Sequence, residues 1–527
     1  MDTVLPIGWI ECPLSAITDD IVKIDKNADQ ELPIEYVDIS AINNELNVIE
    51  ETKSFLLKDA PSRAKQIVKV GDVLFSLVRP YLKNIAAVPE RLNNQIASTG
   101  FCVLRPSLGI DHKFLFYKVV SGEFINIVSG KQYGVSYPAV KEEQITGQLI
   151  SLPPLNEQKR IVAKIEELFS ELDNGIAALK TAREQLKVYR QAVLKHAFEG
   201  KLTAKWREEN ADKLESPEQL IERIQQEREA RYQQQLEDWK AATKAWEANG
   251  KEGKKTGKPK EPPQLEFFES ALPFGWLTVS LSWLLTTDKK PMTTGPFGTA
   301  LKKSEHQSDG VPVLGIENIG NGKFIPGNKI FVTQEKAEEL ASFAVHPGEI
   351  VISRSGTVGE ICEVPAKVNN ALISTNLLRV SLDNETILSP FFVLMFQGGG
   401  VKLQVKDLCK GSSREFLNQS ILSSIKYPVC GIQEQKALLE QLETIFSNID
   451  QQEKDVAISL EKAETLRQSI LKKAFSGQLV PQDPNDEPAS ELLTRIQAEK
   501  VKQQVAAKVK PVGKSGAKRG LKSKVAT

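Results

Sequence analysis

The sequence predicts a mixed α/β chain in which two related α/β modules are joined by two long antiparallel coiled-coil helices in a pseudo-two-fold arrangement. Three observations carry this reading. Residues 156–202 match residues 433–479 without a gap, at a constant shift of 277. Each copy of that repeat carries an apolar stripe of helical period. The segments before the copies echo each other more loosely and alternate short apolar runs with Gly, Pro and Asn, which marks short strands and turns. A duplication of this size gives two similar units, and such a molecule suits a target that also comes in two halves.

Taken in order, the first module opens with Leu5-Pro6-Ile7-Gly8-Trp9, which returns as Leu272-Pro273-Phe274-Gly275-Trp276. Leu14-Ser15 follows the first and Leu281-Ser282 the second. Residues 70–76 then parallel 347–353, and Ser98-Thr99 before an apolar run parallels Ser374-Thr375 before another, so both modules hold several short strands. In the first rod Ile165, Leu172, Leu179, Leu186 and Val193 recur every seven residues, with Ile161, Leu168, Ala182 and Tyr189 in the second seam position. The second rod places Leu442, Ile449, Val456, Ala463 and Ile470 in the same slots, with Leu438, Ile445 and Leu466. A heptad stripe by itself signals oligomerisation or core packing; here it also supplies a rod of roughly 65 Å that sets a distance. After the first rod, residues 203–265 are rich in Gln, Glu and Lys and close on a Gly/Lys linker at 250–259. Leu220-Ile221-Glu222-Arg223-Ile224-Gln225 returns as Leu492-Leu493-Thr494-Arg495-Ile496-Gln497, so a charged helix follows each rod. The last 27 residues hold eight Lys/Arg and no acid, which predicts a disordered basic tail.

A chain of 527 residues accommodates three or four domains. Its 68 basic and 68 acidic side chains balance, so net charge is silent on nucleic acid. The distribution is not: residues 1–59 hold 4 basic and 13 acidic groups, residues 60–141 hold 11 and 4, which lets one face be positive. Cys12, Cys102, Cys362, Cys409 and Cys430 form no C-x-x-C pair and only four His are present, so neither a disulfide frame nor a zinc site is expected. No signal-peptide pattern and no run of 18 apolar residues occurs, which predicts a cytoplasmic protein without a membrane span. Catalytic signatures are missing too. Gly513-Lys514-Ser515 lacks the upstream glycine of a phosphate loop, and Gly320-Asn321-Gly322 meets Ile325 where a dinucleotide fold needs glycine. No catalytic residue is assigned.

Recognition chemistry on loops remains. Arg79, Tyr81 and Lys83 follow one strand, and Arg354, Ser355 and Thr357 follow its counterpart. Later in each module come Lys131, Gln132, Tyr133 and Ser136, and Lys410, Ser412, Ser413 and Arg414, while Lys402, Lys406 and Lys410 share a helix face. Lys302 and Lys303, after Gly295-Pro296-Phe297-Gly298, form a third candidate. Arg bonds bidentately to guanine, Lys, Ser and Thr suit phosphates, and glycines admit a close backbone approach. Any one such loop is an ordinary solvated turn; their pairing in two related modules points to DNA contact.

With these pieces together, the chain resembles the specificity subunit of a type I restriction-modification system. The most specific text is Leu-Pro-Pro-Leu-Asn-Glu-Gln-Lys at 152–159, Arg-Gln-Ala-Val-Leu-Lys at 190–195 and Ala-Phe-Glu-Gly-Lys-Leu-Thr-Ala-Lys-Trp-Arg at 197–207. The second copy departs where it begins, reading Tyr427-Pro428-Val429-Cys430-Gly431. The resemblance implies target-recognition domains at 1–151 and 266–431, conserved helical spacers at 152–202 and 432–480, a charged helical extension and linker at 203–265, and a short helix with a basic tail at 481–527. It implies a subunit without catalytic groups or cofactor, bound to double-stranded DNA, each domain reading half of an asymmetric gapped site. Its partners would be two methylation subunits using S-adenosylmethionine and two restriction subunits using ATP and Mg2+. Glu157, Gln158, Lys159 and Arg190, with Glu434, Gln435, Lys436 and Arg467, are the candidate docking residues for the methylation subunits, whereas Phe198 and Phe475 read as buried rod ends. A coiled-coil adaptor that never touches DNA would explain the rods but not two basic-loop modules; a stand-alone methyltransferase-nuclease would need a pocket the sequence does not show.

Overall fold

A computed structural model of the chain describes residues 5–25, 29–130, 139–253, 255–262, 266–269, 271–287, 290–296, 300–409 and 416–509. It forms two compact units, Met1–Lys180 with Ala457–Thr527, and Thr181–Val456. Each unit therefore owns one module, the start of one long helix and the end of the other.

The two units repeat one strand order. In the first, Thr18–Asp19, Phe101–Pro106, Val73–Ser76 and Ile85–Ala87 form an antiparallel sheet in that order. Its counterpart runs Met292–Thr294, Leu377–Val380, Ile350–Ser353, Ile361–Glu363. A second sheet, Lys53–Leu56, Pro33–Val37, Ile96–Ser98, Ala64–Ile67, has a parallel middle pair, as does Phe331–Val332, Val311–Leu314, Ala371–Ile373, Ala344–Val345. The strand alternation feeds two cores. Val73 and Phe75 join Phe114, Leu115 and Phe124 of the following helices, while Leu74 packs with Ala86, Phe101 and Val103 on the other face. Ile350 and Ile352 likewise meet Phe391 and Phe392, with Val351 turned to Cys362 and Leu377. That is why these strands are unbroken apolar runs: both faces are covered.

The long helices are Leu155–Phe198 and Ile432–Phe475, 44 residues and about 66 Å each. They share the same bounds at the 277 shift, so the divergent text at 427–431 does not move the second helix start; it forms the strand Tyr427–Cys430, paired with Trp276–Val279. Each helix ends in a Schellman turn. Gly200 (φ 68) and Gly477 (φ 72) adopt the left-handed conformation, and the next N–H groups reach back to the carbonyls of His196 and Lys473.

Between 170 and 192 the positions of the first helix that are not exposed are 172, 176, 179, 182, 186 and 190. The sevenfold set Leu172, Leu179 and Leu186 holds as expected, while the second seam slot falls one residue later than the expected position 189. Two expected seam residues are thereby displaced: Tyr189 is 52% and Leu466 51% exposed. Arg190 and Arg467 take their place. In one unit the Arg190 guanidinium lies 5.0 Å from the Phe446 ring centre and pairs with Asp450. In the other, Arg467 lies 4.5 Å from Phe169 and pairs with Asp173. Within each unit the two helices thus run antiparallel, and the same lock is made with the copies exchanged.

The charged helices after the rods are Pro217–Ala248 and Ala489–Val509, the latter longer than the short helix expected. Each docks on its own module. Leu220 and Ile224, and likewise Leu492 and Ile496, are buried. Arg228 donates to the carbonyls of Ser282 and Trp283 (3.0 and 2.5 Å), and Lys500 to those of Ser15, Ala16 and Thr18 (3.0, 3.1 and 2.7 Å). A cation thereby caps the orphan carbonyls of the 3-10 turns Leu14–Ala16 and Leu281–Trp283.

Candidate nucleic-acid interface

In each unit the first predicted loop lies beside the segment that follows the second, at one end of the antiparallel sheet. In the first unit, Val140 N–H donates to Leu77 O (2.9 Å), Val78 bridges Ala139, and Leu77 N–H donates to Gly100 O (2.9 Å). The loop after Val73–Ser76 is thus seated beside the segment that closes the second loop. In the other unit, Leu417 N–H donates to Arg354 O and Arg354 N–H to Asn376 O, both 2.9 Å, so the same juxtaposition recurs. Lys131, Gln132, Tyr133, Ser136, Lys410, Ser412, Ser413 and Arg414 lie outside the described residues.

The loop at 77–84 is held in an unusual shape. Arg79 (φ 49) and Lys83 (φ 55) are both left-handed and flank the 3-10 turn Pro80–Leu82. Non-glycine residues there cost about 1–3 kcal/mol each, and the cost is met by fixed neighbours. Asn44 Nδ2 donates to Leu82 O (2.9 Å), and Asn47 Nδ2 to Lys83 O and Ile85 O (both 3.1 Å). The result presents Tyr81, 50% exposed, between half-buried Arg79 and Lys83.

The counterpart loop differs from expectation at Arg354, which is only 4% exposed. It occupies the slot of Leu77, the first position after the strand, where the chain still faces inward. Its guanidinium stacks 3.9 Å from the Phe416 ring centre and donates to Thr375 O (3.4 Å); burial pushes its pKa down. Arg354 is therefore packed inside against Phe416 and Thr375, not placed to read a base. Ser355 Oγ bonds Asn376 Oδ1 (2.7 Å), and exposed Thr357 donates to Ser353 Oγ (3.2 Å). Gln419 Nε2 donates to Thr294 Oγ1 (3.0 Å) and Thr375 Oγ1 to Pro296 O (2.7 Å), which brings residues 294–296 to the same end. Lys302 and Lys303 are exposed, but they follow Ala300 and Leu301, which pack on the second sheet, and Lys302 N–H is held by Glu305 (2.6 Å). Lys402 and Lys406 are exposed on the helix Gly399–Cys409.

The expected docking residues are mostly internal. Glu157 and Gln158 are 1% and 0% exposed, Glu434 and Gln435 2% and 0%. Glu157 accepts from Trp9 Nε1 (2.9 Å), and Glu434 Oε1 accepts from Trp276 Nε1 (2.8 Å), Thr203 Oγ1 (2.6 Å) and Arg207 (2.5 Å). Gln158 accepts from Asp111 N–H (3.0 Å) and donates to Pro153 O (3.0 Å); Gln435 accepts from Leu388 N–H (2.9 Å) and donates to Cys430 O (2.8 Å). The repeated Glu-Gln pair thus fastens each rod to its module, because a buried carboxylate or amide must find partners inside. Arg190 and Arg467 are consumed by the seam. Lys159 and Lys436 alone of the eight are exposed. Phe198 stacks edge-on against Phe391 (5.2 Å) and Phe475 against Phe114 (5.5 Å), as rod ends.

Sequence reasoning missed Asn44, Asn47, Asn376 and Gln419, which carry no motif. It also missed Arg228 and Lys500, although both stand four residues beyond matched Ile224 and Ile496 and extend a match already visible. Among the described residues no helix is long and apolar enough to cross a membrane.

Comparison with known proteins agrees with this frame. The model of the type I restriction modification DNA specificity domain matches residues 21–181 and 297–461, more than half of the chain. The type I restriction enzyme StySPI specificity subunit of Salmonella potsdam is 22% identical over 515 residues, covering 94% of this chain and 96% of that protein. The EcoKI specificity subunit of Escherichia coli (strain K12) is 23% identical over 517 residues with the same coverage, 94% and 96%. Among solved structures, a chain from a study of complex assembly and conformational transition in a type I R-M system superposes with a TM-score of 0.64 at 24% identity, covering 90% of this chain and 99% of that one. The HsdS subunit from Thermoanaerobacter tengcongensis gives 0.53 at 24% identity, covering 90% and 98%. The chain belongs to the type I restriction-modification DNA specificity family.

Proposed function

We propose that this chain is the sequence-specific DNA-recognition subunit of a type I restriction-modification complex, each unit reading one half of a bipartite asymmetric site. The observation that carries the reading is the contrast inside the repeat. The fastenings recur nearly residue for residue, whereas the loops at the sheet end do not: Arg79-Pro80-Tyr81-Leu82-Lys83 in one unit faces Ser355-Gly356-Thr357 in the other. A shared frame with different reading loops is what two different half-sites require.

Tyr81 and Arg79 then contact base edges in one half-site and Ser355 and Thr357 in the other, with Lys83, Lys402 and Lys406 on phosphates. The chain contributes no catalytic group. Two methylation subunits would supply S-adenosylmethionine-dependent transfer to adenine, and two restriction subunits ATP- and Mg2+-dependent cleavage, in the cytoplasm. Mobility shifts with the methylation subunit test this. Arg79→Ala should weaken cognate DNA by about 1–3 kcal/mol and spare random DNA, whereas Lys406→Ala should weaken both alike and flatten the salt dependence. Equal loss on both DNAs for Arg79→Ala would sink its base-reading role.

A further inference from the structure

The loop at 77–84 is joined to a second projecting element that no sequence motif announces. Ile42–Asn43 and Val48–Ile49 form a two-stranded ribbon in which Ile42 faces Ile49, both buried in the module. The tip between them, residues 44–47, is fixed from within and from outside. Asn43 Oδ1 accepts from the N–H groups of Glu45 (3.0 Å) and Leu46 (3.1 Å), and Asn43 Nδ2 donates to Glu50 (2.8 Å). Asn44 and Asn47, the latter left-handed at φ 55, carry the bonds to the carbonyls of Leu82, Lys83 and Ile85. Tip and reading loop are therefore one fixed surface. Leu46 stands between the two asparagines, yet it is 67% exposed.

A single exposed leucine is ordinary on a protein surface; the position of this one narrows what could cover it. Residues 42–49 contain no Lys or Arg, and Glu45, next to Leu46, is exposed and acidic, so the tip repels phosphates. Beside a loop that reads DNA, what remains for such a tip is a base edge. The major groove admits a two-stranded ribbon, and an apolar side chain there meets the C5-methyl group of thymine. Methyl transfer to adenine requires an A·T pair in each half-site, so a thymine is present to be read. A tip already held in place loses little conformational entropy on contact.

The other unit lacks this device. Its ribbon, Ile319–Gly320 with Lys323–Phe324, turns in two residues, Asn321 (φ 50) and Gly322 (φ 74). A Cβ on Gly322 would meet the Gln397 side chain, and the neighbouring Lys323 side chain is largely exposed. That tip is two residues shorter, packed, and flanked by a cation where the first carries Leu46.

We propose that Leu46 is a specificity-determining residue that reads the C5-methyl group of a thymine in one half-site, with the ribbon tip entering the major groove beside the 79–83 loop. This rests on the function proposed above and names a base for that half-site.

The test uses the chain assembled with the methylation subunit, on duplexes bearing its site as given by sequencing methylated adenines. Deoxyuridine replaces thymidine at one position at a time, which removes only the C5-methyl group. The natural chain should bind about fourfold more weakly with uracil at one position of one half-site, the worth of one buried methyl group. Leu46→Ala should lose a similar factor on the thymine duplex and none on random DNA, and should no longer distinguish thymine from uracil at that position. Unchanged uracil responses in the other half-site report that the variant is folded. The inference is overturned if no uracil weakens the natural chain or if Leu46→Ala keeps the response. Equal loss on random DNA, or weaker assembly with the methylation subunit, would overturn it too, because Leu46 would then face a phosphate or the partner. In each case a natural chain that still prefers its site over random DNA leaves the proposed function standing; absence of that preference would overturn both.

Discussion

Glu434 should be the most costly single residue to remove from the fastening of rod to module. Its Oε1 collects an indole N–H at 2.8 Å, a hydroxyl at 2.6 Å and the Arg207 guanidinium at 2.5 Å, and the side chain is 2% exposed. Glu434→Ala leaves a buried guanidinium, here 12% exposed, without its counter-charge, together with two unsatisfied donors. Breaking such a pair from one side costs about 3–5 kcal/mol. The equivalent Glu157 receives only the Trp9 indole, at 2.9 Å, and its Oε1 meets no donor. Positions 480 and 484, where the repeat would place Thr203 and Arg207, hold Val480 and Pro484. Glu157→Ala therefore costs about 1–3 kcal/mol, one hydrogen bond to a charged acceptor. Urea titrations followed by hydrogen exchange of the two helix starts measure the difference. With a slope of about 3 kcal/mol/M, Glu434→Ala should lower its unit's midpoint by roughly 1.3 M and Glu157→Ala by roughly half of that. Equal shifts would refute the reasoning.

Three more outcomes follow from the same geometry. Arg190→Ala and Arg467→Ala, each removing a ring contact and a half-solvated ion pair, should cost about 1 kcal/mol apiece and add in the double variant, because the locks lie in separate units; coupling above about 0.5 kcal/mol in unfolding free energy would contradict this. Burial holds the Glu157 carboxyl above its usual range, so its contribution to stability is present below the ordinary glutamate value and lost as pH rises through the raised folded value. Glu157→Gln should remove that decline, and stability curves parallel to the natural chain's over the acid range would rule it out. Finally, Asp173 and Arg190 are separated by the same 17 residues as Asp450 and Arg467, so four residues inserted near Ala182 alone should break a lock. Insertion in both helices, near Ala182 and Ser459, keeps both locks and adds about 6 Å, or one or two base pairs of about 3.4 Å to the preferred gap; an unchanged gap in selected sites would show that the helices do not set it.

Much of the frame was legible because it is written twice. The 277 shift relates the two helices, which lie inside the expected spacers 152–202 and 432–480, and the signals at 70–76 and 347–353 contain strands whose apolar runs feed cores on both faces. The roles of repeated polar residues were not legible. Glu157 and Glu434 read as surface because charge predicts exposure, yet their partners Trp9 and Trp276 lie 148 and 158 residues away. Tyr189 and Leu466 read as seam because a strict heptad was applied to both slots, whereas the second slot is filled by the next residue, Arg190 and Arg467, while Leu186, Val193, Ala463 and Ile470 keep the sevenfold spacing. Arg354 read as a base contact from its residue type, whereas its position, one step past a buried strand, governs where it points. Tyr81 and Lys83 were placed correctly on an accessible loop, but nothing local announces that Asn44 and Asn47 set its shape.

The central claim, that each unit reads one half-site, is tested most directly by sequencing methylated adenines in DNA from cells carrying the complete system with altered loops. Replacing residues 79–83 with an unrelated five-residue loop should change or relax the bases methylated in one half of the site while the other half and the gap stay as they were. Replacing 355–359 should do the same to the opposite half. A change in both halves from either replacement, or the natural pattern retained with both in place, would contradict the account.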